Sequence, residues 1–194
     1  MKKAEFTLIE ILGVTVLISI LAAIGIAGYM YAVESSKESA TEAAIERLRA
    51  GIESLNDEGL MLKTLSGSKT EFVKITFNPN PDPNDGDRLK FGDNKYKDED
   101  LEKAYKIFAK AIDGAALKKH LNANNIIVDG WGNPILIRFP GKFNRGGFDI
   151  ISPGSDGKFG EDDGKSAVPT DLKEFQDDNG DWNCDDIANF GGGK

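Results

Sequence analysis

The sequence predicts an α+β fold: a long N-terminal α-helix packed on a small antiparallel β-sheet, with a further helix and a long acidic C-terminal loop. Three observations carry this. Ile11 to Val33 runs without a charge, and helical spacing continues beyond it. Short stretches further on alternate apolar and polar residues. Gly, Asp, Asn and Pro crowd the last two thirds of the chain, whereas strong helix formers fill the first third.

The first helix is expected from about Phe6 to Asn56. Its apolar half is long enough to cross a bilayer, which takes about 20 apolar residues. A cleaved secretory signal has a shorter apolar core followed by a small-residue site; here the core runs unbroken into "ESSKESATEAAIERLRAGIESLND". In that second half Ala44, Leu48, Ile52 and Leu55 recur at spacings of three and four, which makes one apolar stripe. A helix of this span is about 75 Å long, so half of it is expected to project from the globular part. "GLMLKTLSGSK" ends it. "TEFVKITF" alternates Val73, Ile75 and Phe77 with polar residues and reads as a half-buried strand, and "NPNPDPNDGD" reads as loop. A second helix is expected from Asp98, as cap, to about Leu121, with Leu101, Tyr105, Phe108, Ile112 and Ala116 on one stripe. His120 falls in its last turn as a solvated residue. "ILIRF" and "FDIIS", separated by "PGKFNRGG", form a hairpin.

Composition excludes several functions. With 194 residues and a net charge of −8, nucleic acid is not the main partner. Cys184 is the one cysteine and His120 the one histidine, so neither an intrachain disulfide nor a Cys/His zinc cage is expected. GxSxG, HExxH and P-loop patterns are absent, and no catalytic residue is assigned. Adjacent acids such as Asp162 and Asp163 rarely flank a substrate from opposite sides.

Two features suggest chemistry. Glu10 sits at the mouth of the apolar segment, where a carboxylate carries a cost unless it is paired. The loop "SPGSDGKFGEDDGKSAVPTDLKEFQDDNGDWNCDDIANF" combines carboxylates with turning glycines. That suits calcium, which takes 6–8 oxygen ligands, and equally suits a solvated acidic loop. It is not an EF-hand: with Gly180 as the turning glycine, Phe175 would occupy the first ligand position.

"FTLIE" followed by a long apolar helix resembles the amino terminus of the type IV pilin-like family. "DGWGNPILIRFPG", "FDIISPGSDGK" and "DDIANF" resemble, within it, the major pseudopilins of type II secretion systems. The resemblance covers both ends of the chain; between Gly59 and Asn124 only the layout corresponds. It implies a leader at residues 1–5, a filament-core and transmembrane helix at 6–33, the amphipathic half of that helix at 34–58 and a globular head at 59–194. A prepilin peptidase would cut between Glu5 and Phe6 and methylate Phe6. Glu10 would pair with the amino terminus of a neighbouring subunit, since a buried charge is tolerable beside one of opposite sign. The family has glycine, less often alanine, before the cut; this chain has Glu5, and a cut after Ala4 is the alternative. The family's helix-kinking proline is replaced by Ala27, flanked by Gly25 and Gly28, where partial melting is an option.

The resemblance also implies Ca2+ in the acidic loop, held by the carbonyls of Pro153 and Lys158, by Asp156, and by an aspartate pair. Asp185 and Asp186 have the matching residues after them. Asp162 and Asp163, at nearly the family's spacing from Asp156, are the alternative pair, because this sequence carries extra residues in the loop relative to the family, placed before or after the true pair. The expected function is that of a structural filament subunit in the inner membrane, single-pass, with its head in the periplasm or outside. Its partners would be its own copies, minor pseudopilins and the inner-membrane assembly platform. The alternative is an exported calcium-dependent binding domain held by an uncleaved signal anchor.

Overall fold

Leu8 to Asp57 form one helix, α1, in the computed structural model. The structure describes residues 7–61, 71–79, 88–145, 147–160, 168–169, 171–177, 179, 182 and 184–190. The leader boundary at Glu5 and Phe6, most of the Pro-rich loop and the Asp162–Asp163 pair lie outside these residues.

The chain divides into a unit up to Lys37 and a second from Glu38 onward. In the first, every described residue but Thr7 belongs to α1. The helix is unbroken through Gly25 and Gly28, so no melted turn replaces the missing proline. The large side chains from Leu8 to Tyr31 are exposed, and the helix is long and apolar enough to cross a membrane.

In the second unit α1 buries Thr41, Ala44, Ile45, Leu48, Gly51, Ile52 and Leu55, which includes every position of the predicted stripe. Past Asp57 the chain reverses at Gly59, whose φ is +66°; Gly59 N–H donates to Asn56 O and Leu60 N–H to Leu55 O. These bonds satisfy carbonyls that the end of a helix leaves open, and glycine takes the left-handed conformation without a Cβ penalty.

Among the described residues six antiparallel strands follow: β1 (Val73–Phe77), β2 (Leu89–Phe91), β3 (Asn94–Lys95), β4 (Leu136–Arg138), β5 (Asp149–Ser152) and β6 (Ile187–Ala188), in the order β3-β2-β1-β4-β5-β6. The β1 alternation holds, with Ile75 and Phe77 buried and Lys74 exposed. The predicted hairpin is β4–β5, with Ile137 opposite Ile150 and Arg138 opposite Asp149. The β2–β3 hairpin and β6 were not predicted. Gly92, at φ +62°, supplies the turn between β2 and β3, and "FGDN" was its signal.

The second helix departs from expectation. α2 covers Asp98–Ala111; Lys97 holds the N-cap position without a side-chain cap hydrogen bond, so Asp98 is the first helical residue and not the cap. Asp113 takes φ +49°, a left-handed conformation that short polar side chains tolerate. The chain continues as a short α3 (Gly114–Leu117) and a 3-10 turn (Lys118–His120). This redirection buries Leu117 and also His120, the opposite of its expected solvation. Burial first, then the Lys119 charge, holds the imidazole below its usual pKa and therefore neutral.

The main core joins α1, α2 and one face of the sheet. Phe108 lies fully buried, edge-on to Phe77 and Phe91 with ring centroids 5.7 and 6.2 Å away. Gly51 lets α2 approach: a Cβ there would meet Ile112 Cγ2 at 2.6 Å and the Phe108 ring at 2.8 Å. Gly51→Ala adds about 1 kcal/mol of helix propensity against about 1–3 kcal/mol of overpacking. Because two fully buried side chains must yield, the expected outcome is net destabilisation, read as a lower urea midpoint at unchanged slope.

Candidate functional site: the helix start and the carboxy-terminal acidic turn

Glu10 has a partner within its own chain. Thr7 N–H and Thr7 Oγ1 donate to Glu10 Oε2 at 2.9 and 2.8 Å, and Glu10 N–H donates to Thr7 Oγ1 at 3.3 Å. This is a capping box, in which the first residue and the fourth satisfy each other's open backbone donors. "TLIE" is its signature in the sequence.

The acidic turn is built on the end of β5. Pro153 and Gly154 are buried and Ser155 to Lys158 exposed; Gly154 and Gly157 take φ of +64° and +73°. The turn brings Asp156 to the tail. Asp185 Oδ2 accepts from Ser155 N–H at 2.5 Å, Ser155 Oγ at 2.7 Å and Asp156 N–H at 3.0 Å. Asp156 Oδ1 accepts from Lys158 N–H at 2.8 Å. Asp186 is buried; its Oδ2 accepts from Gly160 N–H at 2.7 Å, and its Oδ1 has no partner among the described residues. Burial, with the Asp185 and Asp156 charges adding, pushes the Asp186 carboxyl up to about 7. A raised carboxyl pKa contributes stability at acid pH that is lost as pH rises towards 7.

Of the predicted ligands, the structure brings Asp156, Asp185 and Asp186 to one turn, bracketed by Pro153 and Lys158. Among the described residues no three His, Cys, Asp or Glu side chains stand at ion-holding spacing. Asp185 is engaged instead with backbone amides. The donor set is nonetheless of the all-oxygen kind that calcium takes, and Asp186 Oδ1 is buried with no hydrogen-bond partner among the described residues.

Three supports of this turn were not foreseen. Asn133 Nδ2 donates to Gly154 O at 2.9 Å. Asp129 accepts from the N–H groups of Trp131 and Asn133 and from Ser152 Oγ, while Gly130 N–H reaches Thr41 Oγ1 on α1 at 2.9 Å. Asn189 accepts from Ile150 N–H through Oδ1 at 2.7 Å and donates to Phe148 O through Nδ2 at 3.0 Å, so a side chain extends the β5–β6 pairing past its end. Ile187 and Phe190 are buried on either side of it, and the Asn189 amide between them adds the directional part.

The family described as type II secretion system (T2SS), protein G, matches residues 97–171. The type II secretion system core protein G of Pseudomonas aeruginosa is 28% identical over 168 residues, covering 86% of this chain and 94% of that protein. The chain is similar to protein G of the type II secretion system. No solved structure matches it. The family match lies in the head, and α1, long and apolar enough to cross a membrane, is consistent with a single-pass anchor.

Proposed function

We propose that the chain is a structural, non-catalytic subunit of a membrane-rooted pseudopilus. The observation that carries this is a head similar to type II secretion protein G, continuous with a helix that exposes large apolar side chains from Ile11 to Tyr31 without a charge among them. Copies would bundle these helices in a filament core, with heads outward. Glu10 would exchange its contact with Thr7 for the amino terminus of a neighbouring copy after cleavage before Phe6 and methylation there. Minor pseudopilins, the inner-membrane platform and a prepilin peptidase would be its partners. The head would lie in the periplasm.

A second reading has one observation in its favour. The capping box already satisfies Glu10 within one chain, as an uncleaved signal anchor would need. Glu10→Ala separates the two. Losing one cap interaction costs the helix only about 1 kcal/mol, so membrane insertion is expected to persist while cross-linked ladders of the protein disappear. A ladder unchanged from wild type would favour the anchor.

We further propose that the acidic turn takes Ca2+ through Asp156, Asp185 and Asp186 and the carbonyls of Pro153 and Lys158. Bound there, the ion supplies positive charge to carboxylates that otherwise repel. A ligand that binds only the folded form stabilises it with the logarithm of its concentration, about 2.7 kcal/mol at a hundredfold excess over Kd. The full-length protein in detergent is expected to melt lower after chelation and to recover with added Ca2+. An unchanged melting temperature across that titration would remove the ion from the account.

A further inference from the structure

Asp185 and Asp186 are reached by a second feature that the pseudopilus reading does not use. Phe175 is fully buried in a small apolar cluster separate from the main core. Its ring stacks on Trp182 at 5.2 Å and 6°, and Phe143 and Phe190 close on it edgewise at 5.9 and 6.0 Å. Gln176 and Trp182 form an antiparallel bridge, so the chain doubles back on itself to make this stack.

The cluster grips the aspartate pair from two sides. Trp182 Nε1–H donates to Asp186 O at 2.9 Å, which fixes the backbone of the buried aspartate. On the other side Gly160, whose N–H holds Asp186 Oδ2, is closely packed. A Cβ on Gly160 would stand 3.1 Å from Glu174 O and 3.2 Å from Pro169 Cγ. Glu174 adjoins Phe175, so the backbone carrying the aromatic stack also limits movement of the amide that binds Asp186.

We propose that Phe175 and Trp182 are positioning residues that keep Asp185 and Asp186 seated on the Ser155–Gly160 turn when no cation is bound. The inference rests on the calcium reading above and deepens it. Closure and charge neutralisation become separate tasks: burial of aromatic surface, which is insensitive to ions, performs the first, and the cation performs the second. The backbone amides of Ser155, Asp156 and Gly160 serve as interim partners for the carboxylates, as the hydrogen bonds to Asp185 and Asp186 show.

Hydrogen exchange on the full-length protein in detergent tests this, read by mass spectrometry on peptides covering 155–160 and 185–190. In wild type, protection of both peptides is expected to survive chelation. In Phe175→Ala both are expected to exchange about tenfold faster or more with chelator and to recover with millimolar Ca2+. Phe175→Leu, which keeps apolar volume, is expected to behave nearly as wild type. Peptides covering β1 and β4 report whether each variant retains its main fold. Loss of protection in chelated wild type overturns the proposal, as does full protection of chelated Phe175→Ala. If Phe175→Ala loses protection and Ca2+ fails to restore it, the positioning role stands and the calcium reading falls.

Discussion

Asp149→Ala is expected to destabilise the head by about 3–5 kcal/mol, the range for removing one partner of a buried ion pair. Asp149 and Arg138 face each other across β4 and β5 and are both buried. Arg138 Nε donates to Asp149 Oδ2 at 3.0 Å, and its Nη2 donates to the same oxygen. The carboxylate also gathers the loop beyond β4, accepting from Lys142 N–H at 2.8 Å, Phe143 N–H at 3.2 Å and Asn144 N–H at 2.7 Å. Truncation leaves a buried guanidinium without its counter-charge and loop amides without their acceptor. Stacking of Arg138 over Phe72 and Phe143, 4.3 and 4.8 Å from their centroids, offsets little of this.

Asp149→Asn apportions the loss. It keeps an acceptor oxygen and nearly the same volume but no charge. A loss close to that of alanine would assign the effect to the ion pair; a loss under half would assign it to the loop amides. Urea denaturation of the full chain in detergent measures both. Against a typical stability of about 5–15 kcal/mol, the alanine variant is expected to be substantially unfolded at modest denaturant.

Gly154→Ala is the second large effect, and it is confined to the acidic turn. The φ of +64° costs an L-residue about 1–2 kcal/mol. The added Cβ would also run into the Asp185 backbone carbonyl and lie 2.7 Å from Asp185 Oδ2. Backbone cannot rotate away as a side-chain tip can, so the tail must shift. The bonds from Ser155 and Asp156 to Asp185 are then lost, and hydrogen bonds to a charged group are worth about 1.5–3 kcal/mol. The expected total is about 3 kcal/mol or more. Gly157→Ala is the control. Its φ is +73°, but its Cβ would meet only the Asn133 side chain, at 3.2 Å, so it is expected to show the backbone strain alone. Equilibrium unfolding ranks the two, and a Gly154 variant no worse than the Gly157 variant would show that Asp185 does not lie against that glycine.

Much of the fold was legible because its signals are local. Ala44, Leu48, Ile52 and Leu55 fall on one side of any helix that contains them, and all four are buried. The β4–β5 hairpin was readable for the same reason, with alternating residues on both sides of one turn. What failed depended on partners distant in sequence. His120 looked like a solvated helix end until the left-handed Asp113 turned the chain and carried it inside. β6 is two residues long and exists only because Ile151 and Ser152 lie beside it. The capping box at Thr7 and Glu10 is local, and its spacing is present in the sequence.

By itself the sequence determined the long two-part helix, the α+β class and the set of carboxylates at the carboxy terminus, because periodicity, hydropathy and composition act within a few turns of chain. The tertiary structure alone decided which carboxylates meet. Asp185 and Asp186 reach the Asp156 turn through strand pairing to β5, the Asn189 amide and the aromatic stack around Phe175. Those contacts join residues some thirty or forty positions apart, and no local pattern encodes a pairing whose stability comes from burying both partners together.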